Sequence, residues 1–293
     1  MFEKTKSCPI CNGTKFNKHI ECKDHMLTGQ IFTLTSCDNC SFLFTNPRPD
    51  THTISNFYKS GEYISHSNNA NNLINTTYKI ARQFTLYNKL KIINSLSAEK
   101  TILDYGCGTG EFISFCNKKG WDITGFEPDK SAREKAIDLT KTNILSTNIE
   151  LQNAPPKSLI TLWHVLEHIS DLNNTFSLLK SKLNNDGKFL IAVPNHKSFD
   201  AIYYDQFWAA YDVPRHLYHF SQKTMKLFLK KHALKIYKII PMKLDSFYVS
   251  MLSEKHKNGY INYFKSFING YKSNLYASKN NNNYSSLIYI AGK

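Results

Sequence analysis

The stretch LDYGCGTGEF contains the first residues whose types and spacing indicate chemistry. Gly106, Gly108 and Gly110 are spaced G-x-G-x-G, directly after an apolar run. A dinucleotide site instead has G-x-G-x-x-G and a bare helix N-terminus for the pyrophosphate. Here Asp104 precedes the turn and Glu111 follows it, and two carboxylates would repel pyrophosphate. The turn therefore favours a ligand that carries positive charge, such as an ammonium and a sulfonium, and that needs close approach of the backbone.

A further acid lies at the end of the next predicted strand. Glu127, in TGFEPD, follows Gly106 by 21 residues, where α/β folds commonly place a carboxylate on ribose hydroxyls. A cationic amino acid joined to a nucleoside is S-adenosylmethionine. The glycine turn and the acids around it therefore indicate this cofactor.

The cysteines form a separate group at the N-terminus. Four of them make two C-x-x-C pairs, CPIC and CDNC: Cys8, Cys11, Cys37 and Cys40. Two such pairs surround one tetrahedral ion with four thiolates, which is typical of structural zinc. Disulfides are disfavoured in the cytoplasm, where we expect this chain because its start lacks the apolar core of a signal peptide. Cys22, His19 and His25 could substitute as ligands, although ordinary loop or strand roles are expected for them.

Alternating strands and helices must position these groups. From residue 101, strands such as TILDYG, SLITLW and KFLIAVPN alternate with helices such as DKSAREKAIDLT and SQKTMKLFLKKHAL, the last capped by Ser221. NNDG, before KFLIAVPN, is predicted as a turn. The alternation predicts an α/β, Rossmann-like sheet with helices on both faces, whose ligands gather at the carboxyl ends of the strands.

Composition divides the chain into three predicted parts. Residues 1–50 hold the cysteine pairs within a small hairpin ribbon. Residues 51–100 read mostly as helix, with a periodic stretch over 73–96 that is either a lid, a linker or a simple core helix. Residues 101–293 form the α/β domain, with an insertion at about 195–220 placed to cover a substrate.

Length, hydropathy and charge exclude several classes. The 293 residues, 41% of them hydrophobic, suffice for a sizeable core, and no run approaches the roughly 20 apolar residues that span a bilayer. The net charge is +14, but only four of the 37 basic residues are arginine. Because phosphate-binding surfaces favour clustered arginine with interleaved aromatics, the charge indicates a solvated surface, and nucleic-acid binding is less favoured.

Five motifs in order resemble one enzyme family. LDYGCGTGEF, GFEP, LWHVLEHISDL, DGKFLIAVPN and DVPRHLYHFS are similar to class I S-adenosylmethionine-dependent methyltransferases, particularly the bacterial branch related to ubiquinone-biosynthesis O-methyltransferases. The cysteine pairs and TNPRP resemble members of that branch with a zinc ribbon in front. The resemblance covers most of residues 8–235. It implies a seven-stranded sheet, whose antiparallel edge strand is expected at 285–291.

The resemblance also implies roles at the matching motif positions. The methionine and ribose moieties of the cofactor would be lined by Asp104, Gly106, Cys107, Gly108 and Gly110, with Glu127 on the ribose hydroxyls. Trp163 and His164 would pass the cofactor and begin the substrate wall. The sequence departs from the family at the adenine contact, where Asn148 substitutes for an acid, and at Leu159, where the fourth strand usually opens with an aspartate.

A base must take the proton from a hydroxyl or an enolisable carbon that accepts a methyl group. WHVLEH and VPRHLYHFS supply four histidines: His164, His168, His216 and His219. His216 is the favoured base because the insertion carries it over the strand ends, and His164 and Tyr211 are next. His168 and His219 are expected to satisfy backbone carbonyls. Arg215 could clamp an acidic substrate or form an internal salt bridge.

The sequence thus predicts a methyltransferase that acts on an O or C acceptor of a small molecule or a glycan precursor. Two alternatives stay open. An RNA methyltransferase is one, because ribosomal RNA guanine methyltransferases also place a four-ligand zinc module before this fold. The other is a cofactor-binding partner protein without turnover.

Overall fold

The structure, a computed structural model, describes residues 1–58 and 73–293, with side chains described from residue 83 onward in the second range. Two compact units are formed. The first comprises residues 1–58, 166–173 and 192–289, and the second comprises residues 73–165, 174–191 and 290–293. The division predicted at residues 50 and 100 stays a prediction.

The strands of the described residues are, in chain order, β1 (Phe2–Glu3), β2 (Phe16–Lys23), β3 (Ile31–Cys37), β4 (Leu43–Thr45), β5 (Arg48–Pro49), β6 (Thr101–Tyr105), β7 (Asp122–Phe126), β8 (Ile144–Leu145), β9 (Lys157–Trp163), β10 (Leu183–Pro194), β11 (Tyr218–His219), β12 (Lys235–Pro241) and β13 (Ser286–Gly292). The α-helices are α1 (Leu73–Asn94), α2 (Glu111–Asn117), α3 (Lys130–Thr140), α4 (Asn148–Asn153), α5 (Leu172–Ser181), α6 (Phe199–Tyr204), α7 (Gln222–Lys231), α8 (Asp245–Asn258) and α9 (Tyr263–Lys279).

Seven of these strands form the largest sheet, in the order β12-β13-β10-β9-β6-β7-β8. β6 pairs in parallel with β7 and β9, and β7 pairs in parallel with β8. Nearly every residue of β6 and β9 is buried, as expected of strands that helices cover on both faces. The predicted Rossmann-like α/β fold is confirmed.

The prediction that the last strand lies at the sheet edge is wrong. β13 lies between β12 and β10, and β12 is the edge strand. Every residue of β13 is buried, whereas β12 is partly exposed along its whole length. The apolar run SLIYIAG therefore reflects a strand flanked on both sides, since exposed edges usually carry polar or charged residues.

The turn predicted at NNDG, residues 184–187, falls within the assigned range of β10. A Cβ atom built on Gly187 would lie 2.8 Å from the Leu183 side chain. The Asn184 carbonyl oxygen lies 3.0 Å from the same point. Because an extended strand rises about 3.3 Å per residue, these contacts require the chain to bend sharply at the start of β10, as the predicted turn does.

Four strands of the first unit form an antiparallel sheet in the order β11-β4-β3-β2. β2, β3 and β4 belong to the cysteine ribbon, and β11 belongs to the insertion at 195–220. Tyr218 pairs with Phe44 and His219 pairs with Leu43. The ribbon and the insertion are therefore parts of one hydrogen-bonded sheet.

The helices agree with the sequence in most places. The helix predicted over 73–96 is α1, and residues 59–72 of the same predicted segment lie outside the described residues. Ser221 caps α7 through a capping box with Thr224, as predicted. α8 and α9 were missed, because their buried faces consist largely of serine, asparagine and glycine, with Val249 the only large apolar side chain. Among the described residues, none of the helices combines the length and hydropathy needed to cross a bilayer.

Candidate functional site

The glycine turn joins β6 to α2 in the second unit. Gly106, Gly108 and Gly110 all have positive φ, at 75°, 55° and 81°, a backbone region that favours glycine. A Cβ atom on Gly106 would lie 2.6 Å from Val165, and one on Gly110 would lie 2.9 Å from the Ala136 backbone. These two positions therefore exclude a side chain on steric grounds.

Gly108 differs from its two neighbours. No described atom lies within 4 Å of the place that its Cβ would take. Its amide donates a hydrogen bond of 2.9 Å to Glu127 Oε2. The turn thus leaves open space beside an exposed stretch of backbone, as a bound ligand requires.

Asp104 lies near the carboxyl end of β6 and is almost fully buried. The parallel register places it beside Thr161 of β9, whose hydroxyl donates a 2.6 Å hydrogen bond to Asp104 Oδ1. Burial raises the pKa of Asp104 to about 7, and the negative charge of Glu127 adds to this shift, whereas the Thr161 hydrogen bond and Lys89 oppose it. A cationic ligand would stabilise the ionised form of this carboxylate.

Glu127 follows the carboxyl end of β7. Its Oε1 accepts a hydrogen bond from the Asp129 amide at 2.9 Å, so backbone N–H groups orient both carboxylate oxygens. Burial raises the pKa of Glu127, although these hydrogen bonds oppose the shift. Each oxygen keeps a further lone pair that can accept a hydrogen bond from a hydroxyl.

The end of β9 contributes the indole of Trp163, and α1 contributes the ammonium of Lys89. Lys89 Nζ lies 4.1 Å from the centroid of the Trp163 ring, which makes an edge contact with Phe112. Trp163 Nε1 is buried without a hydrogen-bond partner among the described residues, and a buried N–H of this kind normally has one. His164 follows with a positive φ of 57°.

The remaining predicted cofactor residues have contrasting surroundings. Cys107 is buried, its amide bonds the Phe126 carbonyl, and burial raises the pKa of its thiol. Asn148 is exposed at the start of α4. Leu159 is fully buried in β9, where its neighbour across the sheet is Ile102. Leu159 therefore belongs to the apolar core of the sheet.

The four paired cysteines meet in the first unit. The ligand atoms of Cys8, Cys11, Cys37 and Cys40 all lie within 4.8 Å of one another. The Sγ atoms of Cys8 and Cys40 are 3.5 Å apart, as are those of Cys11 and Cys37. A tetrahedral zinc with Zn–S bonds of about 2.3 Å sets its sulfurs roughly 3.8 Å apart. The four thiols therefore fit a closed zinc site.

Both cysteine pairs have the same backbone turn. The carbonyls of Cys8 and Cys37 accept hydrogen bonds from the amides four residues later, those of Asn12 and Ser41. Both Asn12 and Ser41 have positive φ, at 60° and 63°. The two halves of the cluster are thus built by one repeated local geometry.

His216, the predicted base, lies in a polar cluster of the first unit. Its Nδ1 is 2.8 Å from the Ala210 carbonyl oxygen, so Nδ1 carries the proton and Nε2 is the basic nitrogen. Nε2 lies 4.0 Å from Glu167 Oε1 and 3.9 Å from Asp212 Oδ2. Nε2 therefore faces two carboxylates, those of Glu167 and Asp212.

His168 packs edge-on against His216, with ring centroids 4.5 Å apart. Its Nδ1 lies 3.0 Å from the Tyr58 hydroxyl and 3.1 Å from the Arg215 carbonyl, and burial lowers its pKa to about 4. Ligand atoms of Glu167, His168 and His216 lie within 4.8 Å of one another. Two imidazoles and a carboxylate could also hold a transition-metal ion.

Three other residues of the insertion have internal partners. Arg215 is buried and pairs with Asp24 at 3.0 Å and with Asp212 at 2.6 Å. His219 is buried with its Nε2 3.3 Å from the Thr45 hydroxyl, and burial holds its pKa well below the usual value. Tyr211 packs in the apolar cluster of the first unit, and burial raises its pKa.

Sequence reasoning missed several polar neighbours of these sites. Thr161 and Lys89 approach Asp104 only through strand register and the placement of α1, neither of which the sequence reveals. Glu167 lies inside the motif WHVLEH, but the sequence analysis predicted no function for it. A carboxylate next to a histidine in such a motif was the signal that could have identified it.

The comparisons with known proteins now define the class. The methyltransferase-domain family model matches residues 78–239, more than half of the chain. The chain therefore belongs to this family, and it has the Rossmann-like fold of class I S-adenosylmethionine-dependent methyltransferases.

Individual relatives are distant. A protein named as a methyltransferase in Geobacillus sp. (strain WCH70) is 28% identical over 151 residues, which cover 48% of this chain and 60% of the relative. The magnesium protoporphyrin IX methyltransferase from Synechocystis, solved with S-adenosylhomocysteine bound, has a TM-score of 0.54 at 12% identity, covering 83% of this chain and 99% of that chain. A methyltransferase from Archaeoglobus fulgidus has a TM-score of 0.48 at 21% identity, covering 72% of this chain and 94% of that chain.

The raised pKa of Asp104 leads to a pH prediction. Below pH 7 most of this carboxyl group is protonated, so it attracts a cationic ligand less. We expect the affinity for S-adenosylmethionine to rise about 10-fold from pH 6 to pH 8, relative to Asp104→Asn. The affinity is measured by calorimetry for both proteins at each pH. The titration of the ligand's own amine affects both proteins equally, so it cancels in the ratio of their affinities. Parallel pH profiles would contradict the assignment.

Proposed function

We propose that this protein transfers a methyl group from S-adenosylmethionine to an O or C atom of a small molecule or a glycan precursor. The observation that carries the proposal is the open space at Gly108, whose amide bonds Glu127, together with the buried carboxylate of Asp104 that interacts electrostatically with Glu127. The bound cofactor would supply an activated methyl group on a sulfonium. The family assignment supports the same chemistry.

Each part of the turn then has a task. Asp104 is the counter-ion for the cationic amino-acid end, and Glu127 accepts hydrogen bonds from the ribose hydroxyls. The three glycines let the backbone approach the ligand, with Cys107 as a neutral wall. Trp163 and His164 continue this wall, and Asn148 is the proposed adenine contact. Methyl transfer itself depends on alignment of the acceptor with the methyl group.

The arginines favour a small acceptor over RNA. Arg48 bonds Glu3, Tyr218 and the Ser170 carbonyl. Arg133 donates to the Glu127 and Pro128 carbonyls, and Arg215 is buried in ion pairs. Each of the three arginines with described side chains is thus engaged internally, away from any phosphate-binding cluster.

Formation of S-adenosylhomocysteine tests the proposal. The purified protein is incubated with S-adenosylmethionine and either a metabolite extract or total RNA, each with and without nuclease. We expect product only with the metabolite extract, and nuclease should not change it. Nuclease-sensitive product with RNA would support the RNA methyltransferase instead, and cofactor binding without product in either mixture would support a non-catalytic partner protein.

The acid after β7 gives a second prediction. Glu127→Ala should weaken S-adenosylmethionine binding by about 1.5 to 3 kcal/mol, roughly 10- to 150-fold, because a charge-assisted hydrogen bond is lost. Glu134→Ala removes the same charge from an exposed position of α3 and should bind normally. Unchanged affinity in both Glu127→Ala and Asp104→Asn, measured by calorimetry, would reject these roles.

The cysteine cluster is proposed to hold one structural zinc ion. Elemental analysis should find about one zinc per chain, and Cys37→Ser should lose the metal and lower the melting temperature, because the closed shell is broken. Cys22→Ala should keep the metal, because Cys22 lies outside the cluster of four thiols. A metal-free preparation with unchanged melting would refute the zinc site.

His216 is proposed to take the proton from the acceptor. His216→Ala should leave cofactor binding intact and lower turnover by roughly 100-fold or more. His216→Asn can still donate to the Ala210 carbonyl but lacks the basic Nε2, so it should be equally slow. His219→Ala should lower the melting temperature, while the turnover rate per folded molecule should stay close to that of the unmodified protein.

Recovery of activity in His216→Asn would assign His216 a structural role. The base would then be His164 or Tyr211, or alignment alone would suffice.

A further inference from the structure

The last helix, α9, buries its small and polar residues and exposes its large apolar ones. Its buried residues are small or polar: Ser266, Asn269, Gly270, Ser273 and Ala277. Its exposed large side chains include Phe264 (78% exposed), Phe267 (64%), Tyr271 (58%) and Leu275 (46%). A surface helix of a soluble protein normally shows the opposite arrangement. This outward apolar face is therefore a feature that folding alone does not require.

These four outward residues, Phe264, Phe267, Tyr271 and Leu275, are called the aromatic ridge. Their spacings of three, four and four residues align them along one side of an α-helix. Two further exposed aromatics, Tyr260 and Tyr263, lie at the start of the helix. The ridge is thus continuous over about three helical turns.

The support beneath the ridge is well defined. A Cβ atom on Gly270 would lie 2.6 Å from the Phe247 ring of α8. The Ser246 hydroxyl donates a 3.0 Å hydrogen bond to the Gly270 carbonyl, and Lys265 lies 3.5 Å from the buried Glu254 carboxylate. Close contact with α8 therefore fixes the small-residue face of α9 inward and the aromatic ridge outward.

The chain segment that contains the ridge carries charged side chains of one sign. Residues 255–293 contain no aspartate or glutamate, and their lysines are Lys255, Lys257, Lys265, Lys272, Lys279 and Lys293. Lys272 and Lys279 are exposed on α9, within about a quarter turn of Leu275 at 3.6 residues per turn. An apolar stripe flanked by lysines matches the helices that lie in the interface of an anionic bilayer.

We propose that α9 docks this protein onto the surface of a membrane that contains anionic phospholipids. The aromatic ridge would enter the boundary between headgroups and acyl chains, and Lys272 and Lys279 would contact the phosphates. Docking of this kind needs no spanning helix, and it does not depend on the proposed methyl transfer.

Two other occupants fit the surface less well. A second copy of the chain would bring like-charged lysines together, with no carboxylate in residues 255–293 to neutralise them. A nucleic acid would require phosphate and base contacts, yet residues 216–293 contain no arginine, and a ridge of phenylalanine and leucine on a convex helix offers no groove for stacked bases.

Vesicle co-sedimentation of the full chain tests the proposal. We expect binding to equimolar phosphatidylglycerol and phosphatidylcholine, little binding to phosphatidylcholine alone, and weaker binding at higher salt.

Phe264→Ser combined with Phe267→Ser and Tyr271→Ser should lower the affinity at least about 10-fold. Lys272→Glu combined with Lys279→Glu should lower it by about 25-fold or more, from about 5-fold for each lysine lost.

Matched controls separate the ridge from general surface effects. Ile31→Ser and Lys119→Glu change an exposed apolar and an exposed basic residue elsewhere, and both should bind vesicles like the unmodified chain. Circular dichroism should show unchanged melting in the ridge and lysine variants. Full vesicle binding by both variants would overturn the proposal. If the unmodified chain does not bind vesicles, a dimer that depends on the ridge in sedimentation velocity, or binding to total RNA, would also overturn the proposal.

Discussion

A buried carboxylate near the carboxyl end of β6 is the constraint on which the proposed site depends. Asp104 keeps its place through the hydrogen bond from Thr161 and through the parallel register of β6 with β9. Its burial makes the ionised form costly, so a cationic partner gains more here than at an exposed acid. This electrostatic preference for a cation accounts for the negative charge beside the glycine turn.

Backbone geometry extends that preference into a binding surface. The amide of Gly108 holds one oxygen of Glu127, and the amide of Asp129 holds the other. These bonds fix the Glu127 carboxylate beside the open space at Gly108. The site therefore consists of oriented acids and main chain, with few side chains that need to move.

The first unit depends on a different interaction, the buried ion pairs of Arg215. Asp24 belongs to the ribbon and Asp212 to the insertion, and the Arg215 guanidinium bonds both. Removing one partner of such a buried group typically costs about 3 to 5 kcal/mol, because a charge is left without compensation. Together with the pairing of β11 and β4, this arginine makes the ribbon and the insertion mutually dependent.

The sequence was most informative where the local chemistry is distinctive. The glycine turn, the two cysteine pairs, the Ser221 cap and the alternation of strands and helices from residue 101 are all set by neighbouring residues. The position of β13 and the contact of Thr161 with Asp104 depend on register and packing between distant segments. α8 and α9 escaped prediction because serine, asparagine and glycine predominate on their buried faces, which weakens the usual periodic signal.

Arg215 shows the same limit at a single residue. The motif allowed either a substrate clamp or an internal salt bridge, and only the positions of Asp24 and Asp212 beside the buried guanidinium identify the second. His216 retains its predicted candidacy through contacts that no motif reveals, with Glu167 and Asp212 about 4 Å from Nε2.

The central claim is that the turn between β6 and α2 is built for S-adenosylmethionine. A crystal structure of the full chain with S-adenosylhomocysteine tests it most directly. We expect the ribose hydroxyls to donate hydrogen bonds to the Glu127 carboxylate and the amino group of the ligand to lie on the side of Asp104. The ligand should pack next to Gly108. A ligand bound elsewhere, or a dinucleotide pyrophosphate seated on this turn instead, would contradict it.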